Sequence, residues 1–189
     1  MLNKLLQWFF RRKPEGTEEL MDENKFWALI QASKAAGKGD YEKQKIELVK
    51  LLLKQKPKEI AAFDNRFRYT SNQLYHWDLW GAIYIIDGGC SDDGFDYFRE
   101  WLIGQGKEMV ETAMNNPDAL ADFEIERDTD WEGLGFMAYN AFYYKTGADL
   151  YQGYLATIPF ELKGEEWSED NDDLERRFPR LFEKYKDQY

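Results

Sequence analysis

An all-α domain of roughly eight helices is what this sequence predicts. Three observations carry that expectation. Apolar residues recur at helical spacing along most of the chain, and no sustained alternation marks a strand. Capping residues stand before several of these stripes, and glycines stand behind them. Hydrophobic residues make up 43% and aromatic residues 17% of the 189-residue chain, enough for one real core. With seven Trp, twelve Tyr and thirteen Phe, that core is built from rings.

The elements follow in order. Residues 1–20 read as a basic amphipathic arm and a linker, and residues 21–189 as the helical domain. In the arm, Leu2, Leu5, Leu6 and Phe9 share one helical face, with Trp8 and Phe10 beside them. Lys4, Arg11, Arg12 and Lys13 give it four bases and no acid, so the remainder carries −15 of the net −11. The arm is too short to span a bilayer and lacks a signal-peptide pattern. It suits either docking on its own domain or contact with a membrane surface through residues 1–13.

Asp22 caps a helix from Glu23 that presents Phe26, Trp27, Ile30 and Ala35 and stops at Gly37-Lys38-Gly39. Asp40 starts a second, striped by Tyr41, Ile46, Val49, Leu52 and Leu53. Its lysines, Lys45, Lys50, Lys54 and Lys56, form a solvated basic face. Pro57 opens a third with Ile60, Ala61, Phe63 and Phe67. Thr70-Ser71-Asn72-Gln73 fits a capping box for a central buried helix over residues 74–86. Gly88-Gly89 ends that helix, and Ser91 caps the next, with Asp92 and Asp93 in its first turn. Phe95, Phe98, Leu102 and Ile103 are its buried stripe, broken at Gly104-Gln105-Gly106. Shorter helices carry Val110, Ala113 and Met114, and then Leu120 after Asn116-Pro117. Trp131 to Lys145 is a ring-rich helix. The acidic run 165–175 is exposed, and Phe178-Pro179-Arg180-Leu181-Phe182 anchors a last short helix.

Composition excludes several functions. Thirty-six acids against twenty-five bases argue against nucleic acid as a partner. They suit a cytoplasmic protein that meets a basic protein or peptide. One cysteine, Cys90, and one histidine, His76, exclude internal disulfides and classical zinc chemistry. No cofactor motif is present, and no metal ligand set is assigned.

The centre of the chain resembles an uncharacterised bacterial family of unknown function. The residues that carry the likeness are Phe26-Trp27, Trp77-Asp78-Leu79-Trp80, Gly88-Gly89-Cys90-Ser91-Asp92-Asp93-Gly94-Phe95 and Phe98-Arg99-Glu100-Trp101-Leu102-Ile103. Gly106, Asn116-Pro117-Asp118, Leu120 and a tail of Phe178-Pro179-Arg180-Leu181 continue it. The likeness extends from Met21 to the C-terminus. It implies a bacterial, cytosolic setting and brings no catalytic residues.

Asp78 is the pivotal candidate. It lies between two tryptophans on a helix that reads as buried, where an ionised carboxylate needs a partner. Arg99 is the first choice, with Arg66 and Arg68 as alternatives. One reading is a structural ion pair. The other is a polar pocket walled by Trp77, Trp80, Tyr84 and Trp101 that takes a ligand or a basic side chain. Asp92, Asp93 and Asp96 complete the candidate set, although Asp92 to Asp96 does not match a calcium-loop spacing. Cys90 stands near a helix N-terminus, which favours a thiolate, but Asp92 and Asp93 oppose it.

The leading expectation is a non-catalytic cytoplasmic binding module with an acidic, aromatic-lined groove. The alternatives are a carboxylate-dependent enzyme assisted by a divalent metal, and an adaptor tethered to the inner membrane surface by its N-terminal arm.

Overall fold

The structure is a computed structural model, and it describes residues 17–126, 132–151, 156–158 and 161–186. The amphipathic stretch 1–13, Trp131 and Pro159 lie outside the described residues. The all-α expectation holds. Nine α-helices run in order among the described residues: α1 (Glu23–Gly37), α2 (Tyr41–Leu52), α3 (Pro57–Gln73), α4 (Trp77–Asp87), α5 (Asp92–Gln105), α6 (Lys107–Asn115), α7 (Met137–Thr146), α8 (Asn171–Arg177) and α9 (Pro179–Tyr185). Two short 3-10 turns, Pro117–Asp122 and Leu134–Phe136, join them. No helix among the described residues is long and apolar enough to cross a membrane.

The caps behave as their chemistry requires. The side chains of Asp22, Asp40 and Ser91 accept hydrogen bonds from the backbone N–H of Lys25, Lys43 and Gly94, which otherwise have no intrahelical partner. Gly88 closes α4 in the left-handed region, φ 73°, where glycine carries no side-chain penalty.

Three expectations are corrected. Thr70 does not cap a helix. Its hydroxyl donates back to the Arg66 carbonyl at 2.9 Å, and α3 continues through Gln73. The break comes at residues 74–76, and α4 begins only at Trp77 with His76 as its cap. On α2, Ile46 is 56% exposed, and the buried stripe is Gln44, Leu48 and Leu52. The reason is tertiary: Gln44 donates to the Gly104 carbonyl of α5 at 2.8 Å, which fixes the face that α2 turns inward.

Helices α1 and α2 form a hairpin. Helix α1 also packs on α5, α3 lies against α7 and α5, and α9 packs on α4 and on the 117–122 turn. Phe26, Ile30, Phe63, Leu79, Ile83, Phe95, Phe98 and Phe142 fill the shared interior.

The C-terminal segment closes over α4. Lys163 exchanges backbone hydrogen bonds with Tyr75 and Trp77, making one isolated bridge beside His76. Behind it, Phe178 lies on Gly81: a Cβ at that position would stand 2.6 Å from the ring, so only glycine admits the approach. The Asp118 carboxylate accepts from the N–H of Arg180 and of Leu181, both at 3.0 Å, and thereby caps α9. Asp118→Ala leaves two donors without that partner. It is expected to cost about 1.5–3 kcal/mol, read as a lower urea midpoint at unchanged slope. An unchanged midpoint would show that α9 docks through its rings alone.

Candidate functional site

The sequence-selected residues fall into two neighbourhoods separated by the ring of Phe95. On one side Trp77 stacks on Trp80 at 5.4 Å, and Trp80 stacks on Phe95 at 5.0 Å. The Trp80 indole N–H donates to the Cys90 carbonyl. Tyr84 belongs to this side, but the space between it and Trp77 is taken by Trp167, whose ring centroid lies 4.7 Å from Tyr84 and 6.3 Å from Trp77. The aromatic wall is thus covered by the chain's own C-terminal segment. Trp101 is placed elsewhere, stacked on Phe98 of its own helix.

Asp78 does not meet Arg99. Because α4 starts at Trp77, Asp78 stands in its first turn, where the macrodipole favours an acid. Its side chain is 42% exposed and lies 3.4 Å from Arg177, on α8. Asp78→Ala is therefore expected to cost about 1 kcal/mol or less, as for other exposed ion pairs. Asp92 and Asp93 are exposed first-turn acids of α5. Burial and the charge of Asp87 push the Cys90 thiol up to about 12, so it is no thiolate at neutral pH.

On the other side of Phe95 lies a cleft of about 380 Å³. It is walled by Phe67, Phe136 and Ile158, with Arg68, Ser71, Asn72, Asp96, Arg99, Glu100 and Tyr151 among its polar groups. Of these, Asp96 and Arg99 were site candidates from the sequence, and Arg68 entered only as an alternative partner for Asp78. Arg99 is 2% exposed. Its guanidinium donates to the carbonyl (2.9 Å) and hydroxyl (3.0 Å) of Ser71 and pairs with Asp96. It also lies over the rings of Tyr75 and Phe95, at 4.6 and 5.0 Å. Planar stacking plus a fork of donors suits arginine and not lysine.

Glu100, the next residue, is held by the loop before α7. It accepts from the Gly135 N–H at 2.9 Å. Burial pushes its carboxyl up, and the hydrogen bonds from Gly135 and Gly133 oppose that. A Cβ on Gly135 would stand 2.2 Å from Glu100 Oε1, so a larger residue at 135 obliges this carboxylate to move from its present place. Gly135→Ala is expected to cost about 1–3 kcal/mol, measured by chemical denaturation. A neutral result would mean that Glu100 swings out freely.

Behind the cleft, Asp64 lies on the same face of α3 as Phe67, Arg68 and Ser71. It is 1% exposed, and its Oδ2 has no hydrogen-bond partner among the described residues. Burial is the main reason that its pKa rises to about 7; Arg68 pulls it down and Glu100 pushes it up. The phenol of Tyr151 is in turn pushed above its ordinary value, first by burial and then by Asp64.

Sequence reasoning missed Asp64, Arg68's place in the cleft, Glu100, Phe136 and Tyr151. One signal was legible: Asp64 interrupts the apolar stripe Ile60–Phe63–Phe67, where an acid is costly. Among the described residues no three His, Cys, Asp or Glu side chains are grouped so as to hold a metal ion.

No curated protein and no solved structure matches the chain. A family described as a protein of unknown function, DUF4240, matches residues 21–144, so the tail at Phe178 lies beyond the match. That match takes in α1 to α6 and most of α7, including the cleft residues Arg68, Ser71, Asp96, Arg99, Glu100 and Gly135, and the chain belongs to the DUF4240 family.

Proposed function

We propose that this domain is a non-catalytic cytoplasmic binding module, and that it receives a protein or peptide segment in the cleft between α3, α5, the turn at Gly135-Phe136, Tyr151 and Ile158. One observation carries the reading: the cleft combines apolar walls with polar groups that already hold one another in place. Arg99 is engaged by Ser71 and Asp96, and Glu100 by the loop at Gly135. Such a frame is preorganised for recognition, and its volume of about 380 Å³ suits one or two side chains. Among the described residues that line it, none pairs a nucleophile with a base. The carboxylates of the enzymatic alternative are spread out: Asp78 faces Arg177, Asp92 and Asp93 face solvent, and Asp96 is paired with Arg99.

Phe136 is the handle for a test, because it lines the cleft yet is 49% exposed. Phage-displayed dodecamer peptides selected on the wild-type protein are expected to lose at least tenfold in affinity for Phe136→Ala, at an unchanged melting temperature. Peptides that bind wild type and Phe136→Ala equally would place recognition on another surface.

A further inference from the structure

We infer that the cleft takes a ligand carboxylate joined to an apolar group, and that the open edge of the Arg68 guanidinium holds the carboxylate. This rests on the reading of the cleft as the binding site and adds the chemistry of what binds there.

Among the described residues, every carboxylate facing the cleft is committed or sealed. Asp96 pairs with Arg99, Glu100 accepts from Gly135, and Asp64 is buried behind the wall. Among the described residues a cationic ligand would find no open acceptor of full charge. Of the two cations, Arg99 is engaged by Ser71 and Asp96 and stacked on two rings. Arg68 differs. Among the described residues it makes one hydrogen bond, from Nη1 to the Ala156 carbonyl at 3.2 Å, and no Asp or Glu lies within ion-pair distance of it. It lines the cleft, with Ser71 and Asn72 one turn further along the same helix. A planar fork with a free edge is the geometry that receives a carboxylate through paired hydrogen bonds. Phe67, Phe136 and Ile158 then receive the apolar part.

Asp64 supplies an independent signature. The charged groups that act on it are Arg68 from its own helix and Glu100 from α5; the phenol of Tyr151, from the segment after α7, stays protonated at pH 7 because burial and Asp64 push it up. A ligand anion on Arg68 weakens the one positive influence and adds a negative one. Asp64 must then take up a proton, up to about half a proton per site at pH 7. A ligand cation in the same place would release protons instead.

The test is calorimetric titration of the full chain at pH 7 with three probes: N-acetylphenylalanine, its amide, and phenethylamine. Each is titrated in phosphate and in Tris, whose ionisation heats differ. The acid is expected to bind with net proton uptake and at least tenfold more tightly than the amide. Arg68→Met is expected to abolish that preference, with Arg68→Lys intermediate; the probe comparison on the wild-type protein stands even if a variant fails to fold. A peptide ending in phenylalanine that binds as well as the free acid would identify a chain terminus as the source of the carboxylate. Binding by the free acid alone would identify a small molecule. Equal binding of acid and amide, or proton release on binding, would overturn the inference. If phenethylamine binds and competes with cleft-selected peptides, the carboxylate assignment fails while the cleft reading survives. If none of the three probes competes with those peptides, the assignment also fails. If the peptides themselves ignore Phe136→Ala, the cleft reading fails with it.

Discussion

Arg99→Ala is expected to destabilise the fold by about 3–5 kcal/mol, the largest effect of any single change at the cleft. Three losses add in the same direction. The Ser71 carbonyl and hydroxyl lose their donor. The rings of Tyr75 and Phe95 lose the guanidinium that lies over them. A side chain that is 2% exposed leaves a void between α3 and α5. Removing the partner instead is far milder: Asp96 is an exposed residue, and Asp96→Ala is expected to cost about 1 kcal/mol. Arg99→Lys keeps the charge but cannot serve Ser71 and Asp96 while lying flat on both rings, so it falls between the two. Urea unfolding of the three variants gives the order. A loss below about 1 kcal/mol for Arg99→Ala would mean that Arg99 is no structural keystone and that α3 and α5 are held by their phenylalanines alone.

The second large effect depends on pH. Asp64 has an ordinary carboxylate pKa in the unfolded chain and one raised to about 7 in the fold. Between these values the native state binds more protons than the unfolded state, so stability falls as pH rises through the window. Below about pH 4 the carboxyl is neutral in both states and contributes nothing; above about pH 7 the full penalty is present. A shift of about three units corresponds to roughly 4 kcal/mol. Asp64→Asn removes the ionisation. The stability difference, wild type minus Asp64→Asn, is therefore expected to drop by several kcal/mol from pH 4 to pH 8. The offset at pH 4 reports how well the amide fits, and the slope reports the proton. Parallel stability curves for the two proteins would mean that Asp64 finds water or a partner and ionises normally.

The fold was largely legible because its punctuation is local. Asp22, Asp40, Pro57 and Ser91 each act within three residues of their own position, so a sequence pattern finds them. Thr70-Ser71-Asn72-Gln73 deceived for the opposite reason. The pattern of a capping box was present, but α3 ends where Lys163 pairs with Tyr75 and Trp77, a contact nearly ninety residues away in the chain. That displacement moved the start of α4 to Trp77 and carried Asp78 from a buried middle turn to an exposed first turn. Trp167 illustrates the same limit. It sits in a strongly acidic stretch that reads as solvated, yet it packs on Trp77 and Tyr84 and fills the pocket expected there. The cleft was illegible as a unit because it draws on α3, α5, the Gly135 turn and the segment after α7. The Asp96–Arg99 pair is local to one helix, and it supplied the two cleft residues among the site candidates.

The central claim is that recognition lies in the Arg68–Arg99 cleft and not at the tryptophan cluster. Amide and indole chemical shifts of the labelled full chain, titrated with a selected peptide, address it most directly. The account predicts the largest changes at the amides of Ser71, Asn72, Gly133 and Gly135 and at the Arg68 side chain. Changes centred on the indole signals of Trp77, Trp80 and Trp167, with the cleft amides unmoved, would contradict it.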